Sequence, residues 1–540
     1  MLFLATFKTI DLLVVLAYFA LMIFIGHAVS RRKTDAQGYF LAQRSMPIWA
    51  VALSTVATSL SIATFTGGPQ ISFAGDLTYL SLNIGAFIAV FIVAFLFIPR
   101  FYRAGTVTIY GYIDQRFGET ARIAVSCTFL IGRLLASGAR LFIAAIPVCL
   151  LLFSEPDPSA KQMTLAVLII GSVGIAYTVA GGIRAVIWTD TMQIIIVMGA
   201  VLLSIFILLH KIPLSVGGIL DVLRQPALAD GASKLRFLDF STDSAKPFTL
   251  WTALIGGTCL NVAAYGVDHD MAQRMLTAKS PWRGSVSLIV AQFISFGVVS
   301  LFLIVGLLLY VFYKRPDIMG AAAPRDLLLD SKQVYPQFLL NHLSPGLVGL
   351  AMAGMFAAAQ GSLDSAINAM ASSAVADLYW PIRRKLGLPV DSTSSKSPRL
   401  AVLGMGLLLI LFAVWSVFRY DPKTDTILQF ALGVMAFAYS GMLGVFLTAI
   451  FTRRGNTASV LSALVVGILT TAMLQKSIYP VWTRWLTGKP GALAEFWWLP
   501  IGATLSFLVC VMGRSAKPAS PSAFPVIVTK EGIANYSGPG

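Results

Sequence analysis

The sequence predicts an all-α membrane protein with about thirteen transmembrane helices. Apolar residues make up 57% of the 540 residues and charged residues only 12%, whereas a soluble globular chain has about 25% charged residues. The mean hydropathy is +0.79. Apolar runs near the roughly 20 residues that cross a bilayer recur along the whole chain. A single membrane domain with short loops therefore fits better than several soluble domains.

Thirteen apolar runs account for the predicted spans. The first is followed by basic residues and has no small-residue cleavage site, so it predicts a retained helix rather than a signal peptide. The runs cover 10–29, 47–66, 78–98, 123–153, 163–181, 185–209, 249–267, 286–312, 338–378, 400–418, 427–451, 457–474 and 495–513.

Basic residues predict the orientation of these spans. The loop with Arg31, Arg32 and Lys33 and most other basic loops fall on one side, which the positive-inside rule assigns to the cytoplasm. We therefore expect a multi-pass protein of the plasma (inner) membrane, with the N-terminus outside and the C-terminus in the cytoplasm. The net charge of +16 is scattered over short loops without a recognition motif, so no nucleic-acid partner is expected.

Few residues suggest an enzyme or a transition-metal site. Four cysteines lie in apolar runs without metal spacing, and no hydrolase motif is present. His269 stands beside Asp268 and Asp270 in a predicted cytoplasmic loop, where a surface contact is expected. The chain is therefore predicted not to be an enzyme.

A broken helix is predicted in the second run. Its serines and threonines can satisfy backbone groups where a helix unwinds, and Gly67-Gly68-Pro69 is expected to stop the helix. The alternative is a continuous helix kinked by back-bonded hydroxyls. A discontinuous helix that lines a polar cavity is favoured.

Two arginines lie in the fourth run, seven residues apart and close to one helix face. At membrane depth an arginine needs an anion, a carboxylate or water. Arg133 could reach the cytoplasmic surface or form an ion pair, while for Arg140 an ion pair or a solute anion is favoured.

Two carboxylates are predicted inside the membrane. Asp190 lies about two turns into the sixth run, and Asp364 stands in a run of small residues beside Ser362 and Ser365. A carboxylate at this depth costs about 2.5–3.5 kcal/mol on insertion scales, and oxygen ligands suit hard cations. A shared cation site is one reading. The alternative for Asp190 is an ion pair with a neighbouring arginine, and the alternative for the Asp364 segment is helix packing by small residues with backbone-bonded hydroxyls.

Several segments in order resemble the sodium:solute symporter family, whose members transport sugars, proline, sialic acid, iodide and monocarboxylates. Each is weak alone, but together they extend over residues 10–513. The segments are Met46–Val51, Gly181–Asp190, Tyr265–Asp268, Gln273–Ser280, Ala376–Tyr379 and Gly444–Phe451.

The resemblance implies the leucine-transporter-like fold of two inverted five-helix repeats. The repeats are expected at 47–209 and 249–451, separated by an extracellular loop at 210–248. One extra helix and a cytoplasmic loop precede them at 1–46, two helices follow at 452–513, and a disordered cytoplasmic tail is expected at 514–540.

The resemblance also implies a sodium site. Its ligands map to backbone carbonyls of Ala57, Leu60 and Ala358 and to the hydroxyl of Ser362, with Gly361 where many members carry another hydroxyl ligand. A second cation site found in some members maps to Asp190, Asp364 and Ser365. Na⁺ is the only cofactor expected.

Solute-binding positions of the family map to a polar pocket. It would favour a hydroxylated or amide-bearing solute, and an acidic one if Arg140 faces the cavity. The residues are Thr58, Ser59, Ser61, Thr64, Tyr79, Asn83, Arg140, Asn261 and Gln429.

The resulting hypothesis is a symporter that imports a small polar or anionic organic solute, of the sugar, sialic acid or carboxylate class, with sodium. A single copy in the lipid bilayer is expected to suffice. The alternatives are a proton-coupled carrier that uses Asp364 and a transporter-like membrane sensor.

Overall fold

The structure is a computed structural model that describes residues 8–30, 35–153, 158–320, 323–324, 334–390, 392–419 and 426–514. The side chains of 63, 147, 150–152 and 426–434 are also outside the description. Within these ranges the chain is helical, with two isolated β-bridges and no strand. The basic cluster at 31–33, nearly all of the predicted tail and the side chain of Gln429 lie outside the described residues.

Twenty-two α-helices follow one another along the described ranges of the chain. The first eleven are α1 (Thr9–Ser30), α2 (Ala36–Leu41), α3 (Ile48–Ser59), α4 (Ile62–Ala74), α5 (Leu82–Ile92), α6 (Ile98–Ala104), α7 (Tyr110–Phe117), α8 (Glu119–Phe153), α9 (Ala160–Lys211), α10 (Val216–Arg224) and α11 (Thr258–Gly266). The others are α12 (His269–Leu276), α13 (Pro281–Lys314), α14 (Pro316–Met319), α15 (Val334–His342), α16 (Leu347–Ser373), α17 (Trp380–Lys385), α18 (Lys396–Arg419), α19 (Thr426–Phe451), α20 (Thr457–Met473), α21 (Tyr479–Thr487) and α22 (Trp498–Met512). π-helical turns at Val93–Phe97, Thr252–Gly257 and Ala374–Tyr379 connect neighbouring helices.

The helices support a chain that crosses the membrane many times. Within the described residues, eight are long and apolar enough to cross a membrane, or nine with the bent pair of α3 and α4, and α19 and α20 contain shorter apolar segments. The 52-residue α9 turns at Gly182, where φ is 58°. The number of thirteen spans stays a prediction. The domain limits proposed from the resemblance stay a prediction.

The broken helix is present, but its break was predicted at the wrong residues. The chain leaves the helix at Leu60, where ψ is 129°, and α3 and α4 meet at 64°. Gly67-Gly68-Pro69 does not stop the helix, since α4 continues through it to Ala74. α13 packs closely on this part of α4, because a Cβ at Gly306 would lie 2.1 Å from the carbonyl oxygen of Pro69 and a Cβ at Gly68 would lie 3.1 Å from Cβ of Phe302.

α16 is the central helix, buried along nearly its whole length. Its N-terminus is capped from α1, since the Asp11 carboxylate accepts hydrogen bonds from the backbone N–H groups of Gly346 at 2.7 Å and Gly349 at 2.8 Å. Unpaired N–H groups at a helix start favour an anionic oxygen in this position. The extra N-terminal helix is therefore part of the core that holds the site.

The segment of Asp268, His269 and Asp270 corrects the sequence analysis. All three residues are completely buried, as is every residue of α12. The surface contact expected for His269 was wrong, because its Nε2 lies 2.8 Å from the hydroxyl of Ser372 on α16. A short polar helix resembles a loop in sequence, yet here it is enclosed by other polar side chains from distant helices.

Candidate sodium and solute sites

The end of α3 meets α9 and α16 at the residues expected to bind sodium. A Cβ built on Gly361 would lie 3.2 Å from the carbonyl oxygen of Ala57 and 3.0 Å from Oε1 of Gln193. The carbonyls of Ala57 and Leu60 belong to the last turn of α3, where a helix leaves carbonyl groups without intrahelical partners. The break thus presents backbone oxygens to the glycine face of α16.

The remaining expected ligands lie on α16 and are buried. Ala358 and Ser362 are each 3% exposed. The Ser362 hydroxyl donates to the carbonyl of Ala359 at 3.2 Å, so its oxygen lone pairs remain available to a cation. The structure therefore places Gly361 of α16 against the carbonyl of Ala57 at the end of α3, with Ala358 and Ser362 buried on the same helix as Gly361.

Gln193 is a residue of this junction that the sequence analysis missed. It is 1% exposed, and neither polar atom of its amide has a hydrogen-bond partner within the described chain. The hydroxyl of Tyr18 on α1, which lies near Gln193, donates to Oε1 of Gln360 at 2.7 Å. A buried amide without partners marks a position where a ligand is accommodated or strain is retained.

The second expected cation site contains two carboxylates with different partners. Asp190 accepts hydrogen bonds from the Ser54 hydroxyl at 2.5 Å and from Nη2 of Arg274 at 3.2 Å. Asp364 accepts from the Tyr177 hydroxyl and from the backbone N–H of Ser365, both at 2.7 Å. The two carboxylates are close enough to interact electrostatically. Asp190 is thus ion-paired, while Asp364 forms no ion pair within the described residues.

Asp190 belongs to a set of buried charges that we term the ion-pair cluster: Arg133, Asp190, Asp268, Asp270 and Arg274. Arg274 is 3.0 Å from Asp270 and 3.2 Å from Asp190, and Arg133 is 3.4 Å from Asp270. Arg133 also pairs with Asp268. Every side chain is 4% exposed or less. Arg133 is thus ion-paired rather than extended to the membrane surface.

The hydroxyls beside the helix break differ in their partners. Thr58 donates to the carbonyl of Ser54 at 3.0 Å and Ser59 to that of Val56 at 2.8 Å. Ser61 and Thr64 have no side-chain hydrogen bond to any described residue, and Thr64 is partly exposed. The unpaired hydroxyls therefore lie just after the break, at the start of α4.

Asn83 lies on α5 and Asn261 on α11, which are packed together, and Tyr79 lies in the helical turn just before α5. A Cβ at Gly85 would lie 2.5 Å from the backbone nitrogen of Thr258. Asn83 accepts from Gln292 at 3.2 Å, and Asn261 donates to the carbonyl of Gly257 at 2.8 Å. Tyr79 packs edge-on against Phe248, with ring centroids 5.4 Å apart. Each amide thus retains unused hydrogen-bonding capacity.

Arg140 stands on α8 in electrostatic range of Arg133, Asp270 and Tyr439. It is partly exposed and makes no hydrogen bond or ion pair with any described residue. The sequence analysis expected either an ion pair or a solute anion beside Arg140. No ion pair forms with the described residues.

Comparison with known proteins decides the family. The model of the sodium:solute symporter family matches residues 39–467. The chain belongs to this family. It is 28% identical over 471 residues to the sodium/sialic acid symporter SiaT of Proteus mirabilis, covering 86% of this chain and 89% of that protein. It is 26% identical over 479 residues to the human sodium/iodide cotransporter, covering 87% and 70%.

A solved structure shares the fold of this symporter. The substrate-bound outward-open state of a sodium-coupled sialic acid symporter superposes with a TM-score of 0.81 and 23% identity, covering 95% of this chain and all of the other. The predicted leucine-transporter-like fold is confirmed. The chain is a multi-pass membrane transporter, not an enzyme, and imports a solute coupled to sodium.

Proposed function

We propose that this symporter imports a small organic anion, with a carboxylate-bearing solute as the preferred class. Arg140 carries the proposal, because it lies on the membrane helix α8 and forms no ion pair or hydrogen bond through its side chain with any described residue. An arginine engages a carboxylate through two parallel hydrogen bonds. The solutes named for the two relatives above, sialic acid and iodide, are both anions.

The proposed solute site extends from Arg140 to the start of α4. Ser61 and Thr64 offer unpaired hydroxyls there, and Asn83 and Asn261 offer amide groups on the neighbouring α5 and α11. A hydroxylated carboxylate would satisfy both kinds of group, whereas an apolar solute would leave them unpaired. Thr58, Ser59, Tyr79 and Gln429 complete the proposed lining.

One sodium ion is proposed at the junction of α3 and α16. Its ligands are the carbonyls of Ala57, Leu60 and Ala358 and the hydroxyl of Ser362, with Gly361 leaving room for the ion. Because these groups come from a broken helix and a continuous one, a cation between them stabilises one arrangement of the two.

A second cation is proposed near Asp364, with Asp190 and Ser365 as further ligands. Asp190 is already neutralised by Arg274, so Asp364 is the carboxylate that lacks a positive partner. A buried carboxylate without one is costly. A cation at this position would remove that cost.

Transport of sodium and of the solute is coupled if both ligands bind more tightly to the same conformation of the protein. Sodium at the α3–α16 junction would stabilise the conformation whose α4 hydroxyls and Arg140 face the solute, and the solute would stabilise sodium binding by the same factor.

We further propose a plasma-membrane location with the N-terminus outside and the C-terminus in the cytoplasm, because the basic residues lie on short loops of one side.

Uptake into proteoliposomes tests this proposal. Carboxylates, sialic acids, sugars and amino acids would be offered with a sodium gradient, with a pH gradient alone, or with neither. Sodium-driven uptake of a carboxylate is expected. Uptake driven by the pH gradient without sodium would indicate a proton-coupled carrier instead.

Two variants separate the sites. Arg140→Ala should raise the KM for the carboxylate about tenfold or more, since charged hydrogen bonds contribute about 1.5–3 kcal/mol, and Arg140→Lys should recover part of it. Ser362→Ala should raise the sodium concentration for half-maximal uptake. If Arg140→Ala altered the sodium dependence more than Ser362→Ala, the assignment would be wrong.

A further inference from the structure

α21 is a short helix between α20 and α22, and its inner side is fastened to the rest of the protein. It has nine residues, too few to cross a bilayer, which takes about 20. Thr483 is buried, and its hydroxyl accepts a hydrogen bond from the N–H of Gly491 at 2.7 Å. The indole N–H of Trp482 donates to the carbonyl of Met473, at the end of α20, at 2.7 Å. α21 therefore has a defined position beside the end of α20.

The outer side of α21 is apolar. Trp485 is 84% exposed, the largest exposed fraction among the large apolar side chains of the described chain. Successive helical residues are about 100° apart, so the exposed apolar side chains and Trp482 lie within an arc of about 140°. Arg484 is exposed just beyond one edge of this arc. The exposed apolar side chains, which we term the outer face of α21, are Ile478, Val481, Trp485 and Leu486.

An exposed apolar stripe on α20 leads to the outer face of α21. Its members recur at every fourth residue, so they lie close to one side of the helix. They are Leu461, Val465, Leu469 and Met473. In a membrane transporter such a stripe is the side that contacts lipid. Met473, the last of the stripe, is also the residue whose carbonyl accepts the bond from Trp482. The outer face of α21 thus continues the lipid-facing side of α20.

We propose that α21 lies along the membrane surface at the end of α20, with its outer face inserted among the lipid acyl chains next to the head groups. Amphipathic helices with a tryptophan on the apolar side bind membranes in this orientation. Tryptophan is also enriched at the boundary between hydrocarbon and water. Arg484, at the edge of the outer face, is placed to reach the polar head groups.

A second copy of the chain fits the outer face less well than lipid does. A stable protein interface uses about 20–30 residues on each side, whereas α21 has nine. The stripe on α20 that the outer face continues is already a surface for acyl chains. Lipid is therefore the occupant to which the proposal commits.

The lipid contact would hold one part of the wall of a cavity of about 370 Å³. Tyr479 and Pro480 of α21 line this cavity together with Pro247 and Phe248. The ring centroid of Phe248 lies 5.4 Å from that of Tyr79, which belongs to the proposed solute site. An anchored α21 would thus keep in place a wall that leads toward the solute-binding region. This consequence rests on the proposed solute site, but the lipid contact itself does not.

Tryptophan fluorescence of the full chain in liposomes tests the lipid contact. The chain has 10 tryptophans, so the signal of Trp485→Phe would be subtracted from that of the wild type to isolate Trp485. The quenchers would be phosphatidylcholine brominated next to the head group, phosphatidylcholine brominated near the chain ends, and iodide in the water. We expect the lipid brominated next to the head group to quench Trp485 most, and iodide to have little effect.

Hydrogen exchange in lipid nanodiscs gives a second measurement that does not depend on Trp485. Val481→Gln places an amide on the outer face, where hydrocarbon offers it no hydrogen-bond partner. We expect backbone amides of α21 to exchange severalfold faster in this variant. The control is Lys489→Gln, at an exposed position just after α21, which should leave the exchange unchanged.

Four outcomes would overturn the proposal. Strong quenching of Trp485 by iodide and by neither lipid would place the outer face in water. Protection from all three quenchers, with dimers detected in the same liposomes, would make a second copy the occupant. Strongest quenching by the lipid brominated near the chain ends would contradict a position at the surface. Equal exchange in Val481→Gln and Lys489→Gln would contradict insertion. None of these depends on which solute or ion the symporter carries.

Discussion

The ion-pair cluster and the region around the helix break differ in whether their polar side chains have partners. In the ion-pair cluster every charged side chain has an opposite charge beside it, and all of them are almost fully buried. Around the break, Ser61, Thr64 and Arg140 lack side-chain partners within the described residues. The first arrangement pairs its charges without any ligand. The second has unused hydrogen-bonding groups that a ligand can satisfy.

This difference separates a structural role from a binding role among residues of the same type. Asp190 and Asp364 are both completely buried, yet only Asp190 has an arginine partner. Removing a partner from a closed set of charges destabilises the fold, whereas removing a group from an open site affects ligand binding. Substitutions in each region can therefore test the comparison.

The largest expected effect is that of Arg274→Leu. This change leaves Asp190 and Asp270 buried without their shared partner, which costs about 3–5 kcal/mol for a broken buried pair. We expect a large fall in the temperature of thermal unfolding in detergent, and partial recovery when Asp190→Asn is added.

A matched exposed pair provides the control. Arg224 lies 3.0 Å from Asp221, with both side chains about 70% exposed, so Arg224→Leu should change stability by less than about 1 kcal/mol. Equal effects of the two arginine substitutions would contradict the structural role of the cluster.

Asp364→Asn should leave the fold intact and change ion dependence. It removes no ion pair of the described chain, and an asparagine can still accept from Tyr177. We expect about a tenfold higher sodium concentration for half-maximal uptake, equivalent to about 1.4 kcal/mol. Unchanged sodium dependence with normal stability would remove Asp364 from the proposed site.

Gly361→Ala tests the space at the α3–α16 junction. The added Cβ would lie 3.0 Å from Gln193 Oε1 and 3.2 Å from the Ala57 carbonyl oxygen, so these oxygens must shift. We expect a few-fold loss of sodium affinity. Gly404→Ala is the control, because no heavy atom lies within 4 Å of its Cβ position. Uptake would be measured as a function of sodium concentration for both variants. If the junction were not the sodium site, Gly361→Ala and Gly404→Ala would give the same dependence.

The smallest expected effect concerns the C-terminal end of α4. Lys234, in the loop after α10, donates to the carbonyls of Phe73 at 2.8 Å and Gly75 at 2.7 Å. Burial lowers its pKa to about 8, against the opposing charge of Asp76. Because the unfolded chain binds this proton up to about pH 10.4, the contribution of Lys234 to stability should rise between about pH 8 and pH 10.4.

Comparison with Lys234→Met isolates this contribution from other titrating groups. The stability of the wild type relative to Lys234→Met should increase modestly over that range, as measured by thermal unfolding at pH 7.5 and pH 9.5. A constant difference between the two proteins would show that the ammonium does not titrate there.

The spans and the broken helix could be predicted because their signals are local. Apolar length marks each span, and hydroxyl density before residue 61 marks the unwound segment. The exact break could not be predicted, since Pro69 reads as a stop but is tolerated within α4. Its carbonyl is approached by Gly306 on α13, a contact between residues far apart in sequence.

The partners of the charged residues could not be predicted for the same reason. The bonds from Arg274 to Asp190 and from Tyr177 to Asp364 join positions 84 and 187 residues apart. A single sequence contains no record of such pairings, so His269 was assigned to the surface and Gln193 was missed. The resemblance placed Ala57, Gly361 and Ser362 in one site, and the structure brings them to one junction.

The cap that Asp11 provides for α16 has a consequence for how the protein is made. Hydrogen bonds from Gly346 and Gly349 to this carboxylate span 335 and 338 positions. During synthesis the first helix therefore enters the membrane long before the helix that it caps has been translated. Until then its carboxylate stands without those donors, so this end of the transporter can be completed only late in translation. Assembly of the proposed sodium site is thus a late event, even though one of the helices that support it is inserted first.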